Sequence, residues 1–516
     1  MKRMHNVFSC ILSMGLALSL SQPAGAEDWT MWGRTVERNM YAPIEEFTHE
    51  FDPGRMMSDS EEVDMSTTEK IKWVAKLGSQ TYGNPVVKDG KIYVGTNNES
   101  PRDDRHIGDR GNLMCFDEET GEFLWQLVVP KLGAGKVSDW EYLGICSSPT
   151  VVGDTVYVLT NRCEVMALDA NGHANGNQGF QEEGNYMSGP NNPPMEVAET
   201  DADILWKYDM REELGVFPHN ITSSAPLYVD GKLYCTTSNG QDWSHLNIPS
   251  PLAPSMIVVD AETGELVGEE AAGISQQLLH SNWSSPAFGN IDGQEMVIFG
   301  AGDGYCYGFD PEPVLDESGW EILPELWRFD ATNEYRTDED GEPIQYPDYY
   351  GPSEIISTPV VYKDRVYVAI GQDPEHGEGV GAFYCIDATK RGDITGEEGA
   401  IWSYYGIDRS ISTAAISNGL VFISDYTGQL HCLDAETGEV YWVHDTLSHI
   451  WGSPMATEDK VYLGNEDGIL TVMAASKEKE LLAEIEFPAP VYSTPIIADD
   501  VMYIGTQTHL YAVTSE

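Results

Sequence analysis

Basic residues are scarce in this chain. Its 516 residues include 29 Lys and Arg against 84 Asp and Glu, which gives a formal net charge of −55. A field this negative repels phosphate backbones and anionic lipid surfaces, so it argues against nucleic-acid binding and favours cationic partners. After the first 26 residues, no segment reaches the roughly 18 consecutive apolar residues that a membrane helix needs.

Several enzyme motifs are also missing. The sequence has no CxxCH for covalent haem, no G-x-S-x-G, no Walker loop, no HExxH and no dinucleotide fingerprint. Cysteines are few and form no metal-type cluster. Cys115, Cys385 and Cys432 each precede an Asp by two positions in a repeated motif, which predicts small buried core residues. Cys146 and Cys163 are the one pair that we consider for a disulfide.

The N-terminus has the pattern of a secretory signal peptide. A basic start, MKR, precedes an apolar run near residues 7–20 and a small-residue cleavage site, AGA, at residues 24–26. We therefore predict a signal peptide over residues 1–26 and a periplasmic or secreted mature protein. Residues 27–68 are predicted to be a mostly irregular lead-in, anchored by Trp29, Met31 and Trp32.

One pattern recurs eight times along the rest of the chain. A small residue, usually followed by Pro, precedes an apolar alternation, a polar turn and a second apolar run, and this predicts a β-hairpin. The copies begin at Asn84, Ser148, Ala225, Ser285, Thr358, Thr413, Ser453 and Thr494. Self-similarity of this kind indicates a repeat architecture.

Most copies continue into a second hairpin with the pattern D-x-x-T-G-x-x-x-W. The clearest cases are Asp117–Trp125 and Asp434–Trp442. Asp and Thr should bind the local backbone, Gly should take a positive φ, and Trp should pack between neighbouring sheets. Four strands per repeat predict an all-β, eight-bladed propeller of antiparallel blades over residues 69–516. The last copy has only three strands, and Glu69–Leu77 is predicted to supply the fourth, with Trp73 as its signature residue.

These eight copies and the tryptophan motif resemble the quinoprotein-like (PQQ-repeat) propellers. That family includes dehydrogenases that use pyrroloquinoline quinone (PQQ) and non-enzymatic scaffold propellers of outer-membrane assembly. The resemblance implies the fold but leaves the activity open, because both kinds of relative share the motif.

The resemblance also implies where a site would lie. In such propellers the loops between the second and third strands, and those between consecutive blades, meet on one rim, and several are long and polar here. The loop TSNGQDW at residues 237–243 is similar to the one in which quinoprotein alcohol dehydrogenases present an Asn to the calcium of the cofactor. Asn239 is then a metal or quinone ligand, Asp242 a nearby carboxylate and Trp243 a stacking wall. The alternative is that Asn-Gly is turn chemistry and Trp243 covers the axis.

Trp283 and Arg409 complete the predicted cofactor-binding set, with Arg409 as a group that could hold an anionic ligand. Glu164 is the candidate for the calcium-holding glutamate. The catalytic set is incomplete, because Ser281 and Ser284 stand where the enzymes carry an acidic general base. The adjacent-cysteine pair that flanks the quinone in many of the dehydrogenases is missing as well.

Other polar groups on this rim include His219, His449 and the segment Asp373–His376. Each histidine alone is expected to pack its loop, although His376, between Glu375 and Glu378, could bind a divalent ion.

Two functions of different classes remain open. The first is a scaffold with a polar axial site that binds an envelope protein, a peptide, a glycan or a small molecule. The second is an alcohol or sugar dehydrogenase that uses PQQ with Ca²⁺. The missing base and cysteine pair favour the first, and the Asn-Gly-x-x-Trp match favours the second.

Overall fold

The computed structural model describes residues 28–515 and shows a ring of eight antiparallel blades of four strands each. The predicted signal peptide lies outside the described residues. Blade 1 consists of Val86–Lys88, Lys91–Asn97, Arg110–Asp117 and Phe123–Pro130, and blade 2 consists of Thr150–Val152, Thr155–Leu159, Glu164–Asp169 and Ile204–Asp209. Blade 3 consists of Leu227–Val229, Lys232–Thr236, Met256–Asp260 and Leu266–Glu270, and blade 4 consists of Ala287–Ile291, Gln294–Gly300, Tyr305–Phe309 and Glu325–Asp330. Blade 5 consists of Val360–Tyr362, Arg365–Ile370, Ala382–Asp387 and Ala400–Tyr404, and blade 6 consists of Ala415–Ser417, Leu420–Ser424, Gln429–Asp434 and Val440–Asp445. Blade 7 consists of Met455–Ala456, Lys460–Gly464, Ile469–Ala474 and Leu481–Glu486, and blade 8 consists of Ile496–Ala498, Val501–Gly505, His509–Thr514 and Ile71–Lys76. The predicted eight-bladed propeller is confirmed.

The remaining elements are short. Two short strands extend the outer edges of blades 3 and 4. Glu321–Leu323 runs parallel to the last strand of blade 3, and Gly392–Asp393 runs parallel to the last strand of blade 4. Val314–Leu315 pairs with the first of these, and Arg55–Met56 pairs with Val63–Asp64 in the lead-in. The helical segments of the described residues are Glu183–Ser188 and Met210–Leu214 (α) and Met65–Thr67, Gly135–Val137, Gly172–Asn175, Ile274–Gln276, Asn333–Tyr335 and Gly396–Glu398 (3₁₀). Within residues 28–515, none of these helices could span a bilayer.

The Asp-Thr-Gly turns take the form that the motif predicts. In blade 1, Asp117 Oδ1 accepts hydrogen bonds from the backbone N–H of Thr120 (2.9 Å) and from its hydroxyl (2.7 Å). Gly121 has a φ of +72°, and a Cβ at this position would come within 2.5 Å of the indole of Trp73. The glycine is therefore required both by the turn and by the close approach of the neighbouring blade.

Tryptophans join several blades to the next one. Five of them, in the described part of the chain, donate their indole N–H to a backbone carbonyl in the turn between the third and fourth strands of the following blade. The pairs are Trp73–Glu118, Trp125–Ala170, Trp206–Ala261, Trp402–Ala435 and Trp442–Ser476, at 2.8–3.2 Å. Each pair satisfies a polar group that the packed interface would otherwise bury without a partner.

The small residues that open the repeats make a second set of contacts between neighbouring blades, close to the axis of the ring. The backbone N–H of Ala225 donates to the hydroxyl of Ser285 in the next blade (2.9 Å). Thr413 donates to Ser453, and Ser453 to Thr494, at the same distance.

The ring closes through the predicted N-terminal strand. Ile71–Lys76 pairs antiparallel with His509–Thr514, so the last blade has no free edge there. Trp73 is buried and lies 6.0 Å from the ring of Tyr503. The prediction for Glu69–Leu77 is confirmed.

The lead-in covers the end of the axis beside the turns that join the first two strands of the blades. Backbone N–H groups from the inner strands of five blades donate to its carbonyls at 2.8–2.9 Å; they are those of Val87, Val151, Phe288, Val361 and Ala456. Arg38 is fully buried and donates to the carbonyls of Pro286 (2.8 Å) and Pro226 (3.1 Å). Trp32 donates to the hydroxyl of Thr358 at 3.0 Å. This segment therefore forms the floor of the ring.

All seven cysteines of the described residues are free thiols. Cys115, Cys385 and Cys432 are completely buried, as their place in the repeat predicts. The disulfide considered between Cys146 and Cys163 is not formed: Cys146 Sγ faces the carbonyl of Leu143, and Cys163 Sγ donates to the carbonyl of Thr237.

Candidate functional site

A cavity of about 430 Å³ opens at the centre of the rim where the long loops meet. It continues towards the floor as a second space of about 190 Å³, and Trp32 lies at the bottom. Aromatic rings make up much of its wall: Tyr82, Trp140, Trp283 and Trp451. A concave, largely apolar pocket with a few polar groups is the usual form of a binding site.

The aromatic wall is held together by ring contacts. Tyr82 stacks on Tyr492 with centroids 4.8 Å apart and planes 9° from parallel. Trp451 meets Tyr82 edge-on at 5.8 Å, and its indole N–H is buried without a hydrogen-bond partner among the described residues. Trp283 on the other side donates to the carbonyls of Ile221 (3.0 Å) and His219 (3.2 Å), which fixes its ring.

The polar part of the wall is acidic. Glu141, Asp373 and Glu375 line the cavity. Burial raises the pKa of Asp373 to about 6, against the opposing effect of His280. Arg409 lines an adjoining space with Glu375, and its guanidinium lies 4.7 Å from the ring centre of Tyr426.

The predicted ligand Asn239 lies outside this cavity. It is fully buried, and its side-chain oxygen accepts from the backbone N–H of Phe217 at 2.9 Å. Its amide nitrogen donates to the carbonyl of Ser250 (2.9 Å) and the hydroxyl of Ser275 (3.0 Å). The amide is thus used to fasten the loop, and its role as a ligand stays a prediction.

The other predicted residues are scattered. Asp242 accepts from the backbone N–H of Ser244 in its own loop, and Trp243 is 57% exposed; neither lines the cavity. Glu164, in the third strand of blade 2, accepts from the hydroxyl of Tyr186 at 2.6 Å and lies 3.6 Å from the guanidinium of Arg162. Of the six predicted residues, the fold places Trp283 in the cavity and Arg409 beside it.

A cluster of four histidines, His219, His245, His280 and His376, lies next to the cavity. His376 directly follows Asp373–Glu375, which line the cavity. The ring centres of His219 and His280 are 4.4 Å apart, and His245 lies 5.0 Å from each. His376 stacks on His245 at 3.5 Å. Burial is the largest cause of the lowered pKa values, about 3 for His219 and about 4 for His245 and His280. These imidazoles are therefore neutral at neutral pH.

Sequence reasoning singled out His219 as a loop residue and His376 as a residue that could bind a divalent ion. It missed the contribution of His245, His280 and the buried Glu354. A usable signal was present, because four of the 12 histidines fall in rim loops of neighbouring blades. Their convergence depends on how these loops fold over the rim, which no local pattern encodes.

The mouth of the ring does not fit PQQ. This cofactor carries three carboxylates, whereas the described residues that line the cavity include Glu141, Asp373 and Glu375 and no Lys or Arg; Arg409 lines only the adjoining space. The amide of Asn239 is occupied by protein partners, and Glu164 is already paired with Arg162. We therefore derive no chemistry through that group.

Comparison with known proteins identifies relatives of the fold. The family model described as outer membrane protein assembly factor BamB matches residues 14–241 and 398–514. The crystal structure of BamB from Moraxella catarrhalis is 12% identical, with a TM-score of 0.51, and the match covers 86% of this chain and 97% of that one. The quinohemoprotein alcohol dehydrogenase from Comamonas testosteroni is 14% identical, with a TM-score of 0.47 and 95% and 80% coverage. A europium-containing methanol dehydrogenase is 12% identical, with a TM-score of 0.46 and 93% and 89% coverage. No curated protein matches the sequence.

Proposed function

Because the chain belongs to the family of outer membrane protein assembly factor BamB, we propose that it is an exported scaffold that binds a protein partner. The partner inserts a segment with a basic side chain, Lys or Arg, into the cavity at the mouth of the ring. The proposed compartment is the periplasm or the medium, which agrees with the signal peptide predicted over residues 1–26.

The observation that carries this proposal is the combination of aromatic faces and carboxylates around one cavity. Cations are attracted to the faces of Trp and Tyr rings within about 6 Å, and more strongly where water is excluded. Trp451 and Trp283 lie on two sides of the cavity, and Asp373 and Glu375 supply negative charge between them. A volume of about 430 Å³ accommodates a few side chains, so the proposed contact is a segment of the partner.

The charge of the whole chain acts in the same direction. A net charge of −55 attracts a basic segment from a distance and accelerates its encounter with the mouth. Such steering weakens as salt screens the field, over a Debye length of about 10 Å at 0.1 M ionic strength. We therefore expect association to slow as the salt concentration rises.

The proposal is tested by titrating short, otherwise neutral peptides that carry a central Arg, Lys or Gln, and following tryptophan fluorescence. Arg and Lys peptides should bind and the Gln peptide should not. Trp451→Ala should weaken binding about tenfold, which corresponds to about 1.4 kcal/mol for a lost cation–π contact. Trp243→Ala is the matched control, because this tryptophan is on the same rim but outside the cavity.

Equal binding of the Gln peptide, or equal losses in the Trp451 and Trp243 variants, would contradict the proposal. The dehydrogenase alternative is tested by a separate titration with PQQ and Ca²⁺. Saturable binding of PQQ with Ca²⁺ that is lost in Asn239→Ala would replace the scaffold with that reading.

A further inference from the structure

We propose that His219, His245 and His280 form a binding site for a late first-row divalent metal ion, such as Zn²⁺ or Cu²⁺. One ring nitrogen of each lies within 4.8 Å of the others. Imidazole is a preferred ligand of these metals, whereas Mg²⁺ and Ca²⁺ prefer oxygen. Zn–N bonds of about 2.0–2.1 Å in a tetrahedron place the nitrogens about 3.3 Å apart, so the His219 and His280 nitrogens, now 2.8 Å apart, must separate slightly while that of His245 adjusts to the same spacing.

The three ligands come from three separate loops. His219 follows blade 2, His245 lies between the second and third strands of blade 3, and His280 precedes blade 4. A bound ion would therefore tie together three loops of the rim.

The hydrogen bonds of the rings already orient two of them for coordination. His219 Nδ1 lies 2.6 Å from the carbonyl oxygen of Gln241, which can only accept, so Nδ1 carries the proton and Nε2 keeps its lone pair. That lone pair faces His280 Nε2 at 2.8 Å. A metal-ligating histidine typically donates its other ring N–H in this way to a carbonyl or carboxylate.

His280 can change tautomer without a net loss of protons. In the metal-free structure its Nε2–H donates to His219, and its Nδ1 accepts from the hydroxyl of Tyr346 at 3.2 Å. On metal binding the proton moves to Nδ1, which faces Glu354 Oε1 at 3.5 Å and Asp373 Oδ2 at 3.6 Å. The Tyr346 hydroxyl then donates to Glu354 Oε1, 3.4 Å away.

The buried carboxylates are a second and independent indication of a missing cation. Glu354 is completely buried and Asp373 is 8% exposed. Among the described residues neither group pairs with a Lys or Arg; both face His280, which is neutral in the metal-free structure, and Asp373 Oδ2 is buried with no hydrogen-bond partner. Burial raises the pKa of Glu354 well above its ordinary value, so the indication rests on the geometry of Asp373: with an ion bound behind His280, the Nδ1–H of His280 would face the unpartnered Oδ2.

Another group of potential ligands shows the contrast. Asp103, His106 and Asp201 also lie close together, but Arg105 contacts Asp201 at 3.1 Å and also pairs with Asp103. Arg105 already compensates the charge of both carboxylates, so we propose no metal site there.

The test uses the full-length mature protein after treatment with a chelator, titrated with Zn²⁺ by calorimetry in millimolar Mg²⁺, which suppresses weak binding to surface carboxylates. We expect one Zn²⁺ per chain. His245→Ala should weaken binding at least 100-fold, and this half-buried position is the least disruptive of the three to change. The matched control is His449→Ala, since that histidine is on the same rim but pairs with Glu466.

A spectroscopic measurement guards against loss of folding. Co²⁺ in the wild type should give the intense visible bands of a low-coordinate nitrogen site, and His245→Ala should abolish them while the far-UV circular dichroism is unchanged. Abolition of binding by Mg²⁺, no single site in the wild type, or equal losses in the His245 and His449 variants would each overturn the proposal.

Discussion

Replacing Trp73 by Ala should open the strand that closes the ring. Its indole is 7% exposed, donates to the carbonyl of Glu118 at 3.0 Å and lies against Gly121 and Tyr503. Truncating a buried Trp to Ala costs about 3–5 kcal/mol, and the lost hydrogen bond is part of that cost.

The contacts of Trp73 stabilise the closing strand, and this determines how much amide exchange in that strand should increase. Trp73 belongs to a strand that lies far from its partner strand in the sequence, so its contacts stabilise the attachment of Ile71–Lys76 to His509–Thr514 directly. A loss of about 3–5 kcal/mol from the free energy of local opening raises amide exchange in the strand by roughly two to three and a half orders of magnitude, since each 1.4 kcal/mol is a factor of ten.

Hydrogen exchange followed by mass spectrometry measures this change in peptides that cover Ile71–Lys76. Trp442→Ala is the matched control: it is 6% exposed, donates to Ser476 at 2.8 Å and makes the same kind of contact between blades 6 and 7. It should lower global stability similarly while leaving exchange at Ile71–Lys76 almost unchanged. If both variants raise exchange there equally, the closing strand opens only with the whole ring, and the reasoning is refuted.

Three further results are expected. Burial raises the pKa of Glu270 to about 7, so the folded chain keeps a proton that the unfolded chain releases near the ordinary value of 4.5. The unfolding free energy should therefore fall as pH rises from about 4.5 to about 7, by up to about 3 kcal/mol from this group, and Glu270→Gln should remove that fall in urea titrations at about pH 5 and pH 8. Thiol titration of the unfolded mature protein without reductant should count seven thiols, and a count of five would indicate a Cys146–Cys163 disulfide. Gly264→Ala should lower stability by about 2 kcal/mol or more in thermal unfolding, because its φ is +74° and a Cβ would approach the Trp206 ring to 2.5 Å; an unchanged melting temperature would contradict this.

The fold was predictable because most repeats carry local patterns that specify their own hairpins. The Asp-Thr-Gly turn and the tryptophan specify a hairpin and its neighbour in one stretch of sequence, as Asp117 and Trp125 show. The closing strand was predictable for the same reason, because Trp73 stands in the motif without a preceding hairpin.

The site was much less predictable. The Asn-Gly-x-x-Trp pattern is local, but the groups that occupy the amide of Asn239 come from Phe217, Ser250 and Ser275, which no pattern links to it. His245 and His280 meet only because loops of neighbouring blades fold over the same rim. Trp29, Met31 and Trp32 predicted an anchored lead-in, but not that it forms the floor, because its bonds to the blades are made mostly by backbone groups, which any sequence possesses.

The position of the lead-in dictates an order of events during folding. Its partners include the last two blades: the hydroxyl of Tyr462 donates to the carbonyl of Thr48, 414 positions away. Residues 29 and 30 pair with blades 1 and 2, which are synthesised early, whereas the bonds of Thr48 form only after blades 7 and 8 have been synthesised. Contacts so distant in sequence form slowly, and the open intermediate exposes strand edges that can aggregate. Complete docking of this segment therefore requires that all the blades it contacts are already folded.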